Sequence, residues 1–118
     1  MATIKSFTSL EQSKKLAEIL PLESADMHWQ YIEEDNGQLQ WFYLPKDFSI
    51  NQHDNIPCWS LAALLEVLPS ATLDSSDDHY YRLHCNEKFT DWYNNPIDAC
   101  VEMINRLHEQ MIHDFNNS

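Results

Sequence analysis

Residues 25–45 read ADMHWQYIEEDNGQLQWFYLP, and they contain Gly37, the single glycine of a 118-residue chain. Two runs rich in Trp, Tyr, Phe and Ile flank Asn36-Gly37. A tight hairpin turn needs positive φ, which Asn-Gly supplies at the least steric cost. The stretch therefore predicts a β-hairpin, and with it an antiparallel sheet. Its register has two solutions. A two-residue turn pairs Tyr31 with Phe42 and Trp29 with Leu44, and gathers Met27, Trp29, Tyr31, Phe42 and Leu44 on one face. A three-residue turn with Gly37 in a bulge shifts the pairing by one and gathers Trp29, Tyr31, Trp41 and Tyr43 instead. The first is preferred here.

Upstream, TSLEQSKKLAEILP reads as a helix. Thr8 is the expected N-cap with Glu11 at capping-box spacing, Leu10, Leu16, Ala17 and Leu20 form the apolar stripe, and Pro21 stops it. Downstream, residues 46–55 are polar and irregular, a loop. IPCWSLAALLEVLP, residues 56–69, is a long apolar run rich in Leu and Ala, which predicts a buried helix started by Pro57 and stopped by Pro69. Residues 71–74 suggest a short strand. A second hairpin follows, turning at Asn86-Glu87, with Tyr81 facing Trp92 and Arg82 facing Asp91. NPIDACVEMINRLHEQMIHDF closes the chain as a helix capped by Asn95, with Pro96 at its first position and Asp98 near the positive end of its dipole. Ile97, Cys100, Val101, Ile104, Leu107, His108, Met111 and Phe115 share its apolar face. Residues 116–118 are expected to fray.

The order α-β-β-α-β-β-β-α defines an α+β protein. An antiparallel sheet of four to five strands would carry three helices on one face, in one domain spanning 1–118. The stretches LAEILPLESADMHW and LLEVLPSATLD echo each other, which suggests a helix-plus-hairpin plan used twice.

Composition narrows function by exclusion. Nineteen acidic residues against seven basic ones give a net charge of −12, spread evenly along the chain. Nucleic-acid binding draws on Lys and Arg neutralising phosphates, so DNA, RNA and anionic membranes are poor partners. Cys58, Cys85 and Cys100 are odd in number and show no CxxC spacing. The opening residues show no secretion signal, and no apolar run is long enough to span a bilayer. These features point to a cytoplasmic protein.

SLEQSKKLAEILPLESADM, IPCWSLAALLEVLP and NNPIDACVEMINRLHE together resemble a family of small proteins, without an assigned activity, from gut anaerobes of the Bacteroides group. Their genes often lie near phage-like or other mobile elements. The resemblance covers nearly the whole chain. It implies a bacterial cytosolic setting and carries over no catalytic residue.

One glycine leaves no GxGxxG, Walker-type or GxSxG loop. DSSDDH, residues 74–79, begins like a calcium loop but has His79 where the turn wants glycine and Cys85 where a bidentate Glu is needed, so it reads as a solvated acidic turn. The six histidines and three cysteines lack zinc-ligand spacing. Cys58 and Cys100 read as small buried residues, and Cys85, His84 and Asp91 offer hydrolytic residue types without a motif. No catalytic, cofactor or metal residue is assigned. The aromatics say more. Trp41, Tyr43, Tyr80 and Tyr93 are expected on the second face of the hairpins, where a helix-covered sheet is otherwise solvated, rimmed by Glu33, Glu34 and Asp35. The leading expectation is an interaction module binding a neutral or basic protein, or itself, through that face. An acidic decoy mimicking nucleic acid is the alternative, and a small hydrolase the third.

Overall fold

The computed structural model describes residues 5–33, 39–45, 56–85 and 87–116, with the backbone alone at 31–33, 39–45 and 112–116. Across them run α1 (Leu10–Leu16), a 3-10 turn (Leu22–Ser24), β1 (Met27–Glu33), β2 (Leu39–Pro45), β3 (Ile56–Cys58), α2 (Leu61–Val67), β4 (Thr72–Ser75), β5 (Tyr81–Cys85), β6 (Lys88–Phe89) and α3 (Pro96–Asn116). The class is α+β, as expected. The strands differ from expectation by forming two three-stranded antiparallel sheets, ordered β2-β1-β3 and β4-β5-β6. Each sheet follows a helix, so the repeated plan is visible, but the central strand is first in one sheet and second in the other.

The extra strand comes from the start of the apolar run. Pro57 does not open a helix. It sits in β3 opposite His28, in an edge strand of the sheet, where proline is tolerated. The α2 helix begins at Ser60, whose hydroxyl accepts from the Ala63 N–H and donates to Asp26, while its own N–H donates to Asp26 Oδ1 at 2.9 Å. Pro69 ends α2 as expected, with Leu68 at the C-cap.

In α1 the cap lies one residue later than expected. Ser9 Oγ accepts from the Gln12 N–H and Gln12 Oε1 accepts from the Ser9 N–H, a complete capping box. Thr8 is used elsewhere. It is fully buried, its N–H donates to the Trp59 carbonyl at 2.9 Å, and its Oγ1 accepts from the Trp59 N–H at 3.1 Å. The cap of α3 is the expected one: Asn95 Oδ1 accepts from the Asp98 N–H, and Asn95 Nδ2 donates to Asp98 Oδ2, both at 2.9 Å.

The Asn36-Gly37 turn and the 46–55 loop lie outside the described residues. The β1–β2 ladder pairs Trp29 with Tyr43 and Tyr31 with Trp41, so the preferred register is overturned in favour of the shifted one. That preference assumed one apolar face. Yet His28 and Gln30 are buried on β1, and the intervening Trp29 is also engaged, its indole N–H donating to the Thr8 carbonyl and its ring meeting Phe7 edge-on. With buried or anchored residues at successive positions, hydrophobic alternation does not specify register.

The core joins Leu16 of α1, Trp59 between β3 and α2, Ala63 and Leu64 of α2, Leu83 and Cys85 of β5, and Ile97, Cys100, Met103 and Ile104 of α3. Burying Leu16, Leu64 and Leu83 contributes about 1.5–3 kcal/mol each relative to exposure. Met103 and Ala99 are buried on α3 although the apolar stripe omits them, while Met111 at the far end is 63% exposed.

The turn from β4 to β5 is closed by Ser76, whose N–H donates to the Tyr80 carbonyl and whose Oγ accepts from the Tyr80 N–H. Within it His79 takes φ of 65°, a left-handed conformation that a Cβ disfavours. Replacing His79 with Gly should therefore raise stability by about 0.5–1 kcal/mol, read as a higher urea midpoint at unchanged slope. A lower midpoint would show that the imidazole contributes more than the backbone conformation costs.

Candidate functional site

Side chains alternate along β5. Leu83 and Cys85 are buried toward α3, and Arg82 and His84 stand half-exposed on the other side. The β4–β5 register sets Asp74 opposite Arg82. Arg82 Nε donates to Asp74 Oδ2 at 3.2 Å, and His84 Nδ1 lies 2.8 Å from the same oxygen. The hydrogen bond with His84, ahead of that from Arg82, holds the Asp74 carboxyl below the usual carboxylate range. The Arg82 guanidinium also lies 4.7 Å from the centre of the Phe89 ring and 4.6 Å from that of Trp92, within cation–π range. The His84 and Phe89 rings are 5.3 Å apart.

A bulge creates this grouping. His84 pairs with Phe89 and Cys85 with Lys88, in the register expected for the second hairpin. The Thr90 N–H donates to the Leu83 carbonyl, but Tyr81 then pairs with Tyr93 rather than Trp92. Asp91 and Trp92 together oppose Arg82, so one extra residue re-aims the side chains that follow. Arg82 finds its acid in Asp74, not Asp91. Trp92 is left 44% exposed beside Phe89 at 46%, and Tyr80 at 47% precedes β5. Large apolar side chains this open otherwise occur, among the described residues, only at Leu22 and Met111. The outer face of the β4-β5-β6 sheet thus carries the exposed aromatic rings among the described residues.

The expected surface is redistributed by these findings. Tyr80 is exposed. Tyr93 turns to the helix side, half-buried, its hydroxyl donating to Glu102 Oε1 at 2.6 Å. That bond, with burial, pushes its phenol up to about 12. Trp41, Tyr43 and Glu33 belong to the other sheet, with only their backbone described, and Glu34 lies outside the described residues. Two sheets therefore replace the single face on which these residues were grouped. Phe89, Trp92, Arg82, His84 and Asp74 were not grouped from the sequence. The alternation of Arg82 and His84 was the available signal, and the bulge hid the rest.

The hydrolytic residue types do not converge. Cys85 is buried on the face opposite His84, and the partner of His84 is Asp74, not Asp91. Burial pushes the Cys58 thiol up and the Cys100 thiol up to about 12, so neither supplies a thiolate near neutrality. Among the described residues no three His, Cys, Asp or Glu gather as a metal site, and no helix is long and apolar enough to cross a membrane.

An open polar hollow of about 600 Å³ lies between α1 and α3. Two of its carboxylates, Asp98 and Glu102, already have protein donors. Asp98 Oδ1 accepts from Lys5 at 2.9 Å and Gln12 at 2.8 Å, while Glu102 accepts from Tyr93 and the Asp91 N–H and pairs with Arg106. Burial alone would raise the Asp98 carboxyl, but its bonds from Asn95, Lys5 and Gln12 outweigh that and hold it low. A smaller apolar hollow of about 190 Å³ lies among Ile19, Leu20, Val67, Ile104, Leu107 and Met111. Neither coincides with the aromatic face.

Comparison of the chain with protein-family models, curated proteins and solved structures finds no match.

Two titrations probe this geometry. Because the folded Asp74 value is depressed, its contribution is present above the ordinary carboxylate value of about 4 and disappears as pH falls through the folded value. Asp74→Asn should lower the melting temperature at neutral pH, and the gap to the unaltered protein should close in acid. An unchanged gap would contradict the pairing. Tyr93 shifts the opposite way, so its contribution is complete below its ordinary value and lost as pH rises through about 12. Absorbance titration should show a late phenolate step that Tyr93→Phe removes.

Proposed function

We propose that the chain is a small interaction module whose docking surface is the outer face of the β4-β5-β6 sheet. The observation that supports this reading is the exposure of Tyr80, Phe89 and Trp92 around an Arg82 already fixed by Asp74. Exposed aromatics held by a rigid sheet favour protein contacts, because large rings desolvate much area at little entropic cost. Arg82 enters that surface pre-ordered, its Nε bonded and its guanidinium close over two rings, which lowers the cost of binding. The setting proposed is bacterial cytosol, on the resemblance described above. The decoy and hydrolase readings have no comparable geometric support.

The test is a pair of substitutions, Trp92→Ser and Phe89→Ser. Both side chains are nearly half exposed, so each should cost folding only about 1 kcal/mol. A photo-crosslinker at position 80 should join the otherwise unaltered protein to one defined protein in extracts of its native host, and the double variant should lose that product while melting cooperatively. A product that persists in the double variant refutes the surface. Loss of cooperative melting makes the rings structural, which also refutes it.

A further inference from the structure

Resting on that reading, we infer that the aromatic face takes a basic segment of a partner protein, with Lys or Arg alternating with apolar residues. The argument is one of charge. The surface's own Arg82 and His84 are both drawn onto the single carboxylate of Asp74. Asp77 and Asp78 precede Tyr80, Glu87 lies two residues before Phe89, and Asp91 precedes Trp92; all four are exposed. None of them takes part in an ion pair among the described residues. Asp26 and Asp98 are answered internally, Asp26 by Ser60 and Asp98 by Lys5, Gln12 and Asn95, while Glu11, Glu66 and Glu109 on the helices are exposed and, like these four, outside the ion pairs among the described residues. The aromatic rings are therefore bordered at both ends of β5 by negative charge without an ion pair, opposed locally by Lys88 and by Arg106, which donates to the Phe89 carbonyl and pairs with Glu102.

Ring faces and carboxylates favour the same ligand. An aromatic face attracts a cation through its quadrupole, and Arg82 over Phe89 and Trp92 shows that these rings accept a guanidinium. A second copy of this chain is the wrong occupant, since each copy carries a net charge of −12 and would present the same acidic rim. An acidic segment would meet the four free carboxylates at close range. A basic one is steered toward them and then buries its apolar residues on the rings.

The probe is a fluorescent peptide of about twelve residues alternating Lys and Leu, compared by anisotropy with versions carrying Gln or Glu for Lys, at about 50 and 300 mM salt. The full-length protein is used, with amide shifts in its NMR spectrum mapping the contact. The Lys peptide should bind tightest, perturb residues 77–92, and weaken with salt. Neutralising the rim with D77N, D78N, E87Q and D91N should weaken it about tenfold. Neutralising Glu11, Glu66 and Glu109 on the helices and Glu18 in the turn after α1 changes net charge equally and should cost less than about threefold. Equal losses from the two sets would mean non-specific attraction and overturn the inference. Tighter binding of the Glu peptide, no binding of the Lys peptide, or a dimer through this face in sedimentation would overturn it too. If Trp92→Ser and Phe89→Ser abolish binding of the Gln peptide while rim neutralisation changes nothing, the module stands and the basic partner falls. If those ring substitutions leave every peptide's binding unchanged, the module reading falls as well.

Discussion

The structure depends on the burial of Trp59. Its ring is fully enclosed, its indole N–H donates to Ser24 Oγ at 2.9 Å, and its backbone N–H and carbonyl both bond to Thr8. One residue thus ties the N-terminal segment, the 3-10 turn, the end of β3 and the start of α2. The buried polar groups of Thr8 and Trp59 find partners here, which matters because an orphaned one would cost about 1–3 kcal/mol. Cys58 joins the same cluster, near Thr8, and its burial serves packing rather than reactivity. Ser60 and Asp26 extend the junction outward and fix where α2 begins.

From that anchor the aromatic outer face follows by alternation. The α3 helix packs on β5, so Leu83 and Cys85 must face it and Arg82 and His84 must face away. The bulge at Asp91 and Trp92 adds what alternation cannot. It sends Tyr93 to Glu102 on α3 and leaves Trp92 beside Phe89 on the open side. The inner and outer faces of this small sheet are therefore set by the same backbone irregularity, and the aromatic platform is bound mechanically to the core.

Legibility in the sequence tracked how local each signal was. Asn95, Pro96 and Asp98 announced α3 because a cap is settled within four residues. Pro69 stopped α2 for a similar reason. Thr8 was expected to cap α1, but a contact with Trp59, distant in sequence, takes Thr8 and leaves the cap to Ser9. Pro57 was misread because a proline suits a helix start and a sheet edge equally, and only pairing with β1 tells them apart. The β1–β2 register failed because the strand has buried or anchored residues at successive positions. The outer face of β5 was partly legible in Tyr80, and Trp92 escaped because a bulge leaves no mark in composition.

The bonds from Lys5 to Asp98 and from Gln12 to the same carboxylate join residues 93 and 86 positions apart. Topology of this kind delays completion, since distant segments must meet before they stabilise each other. During synthesis the first helix emerges with its eventual anchor still unmade, and it can dock in its final place only once the start of the last helix has left the ribosome. Until then the nascent chain carries an incomplete interior, because Ile97, Cys100 and Met103 of the last helix are among the residues that close the core around Trp59 and Leu16.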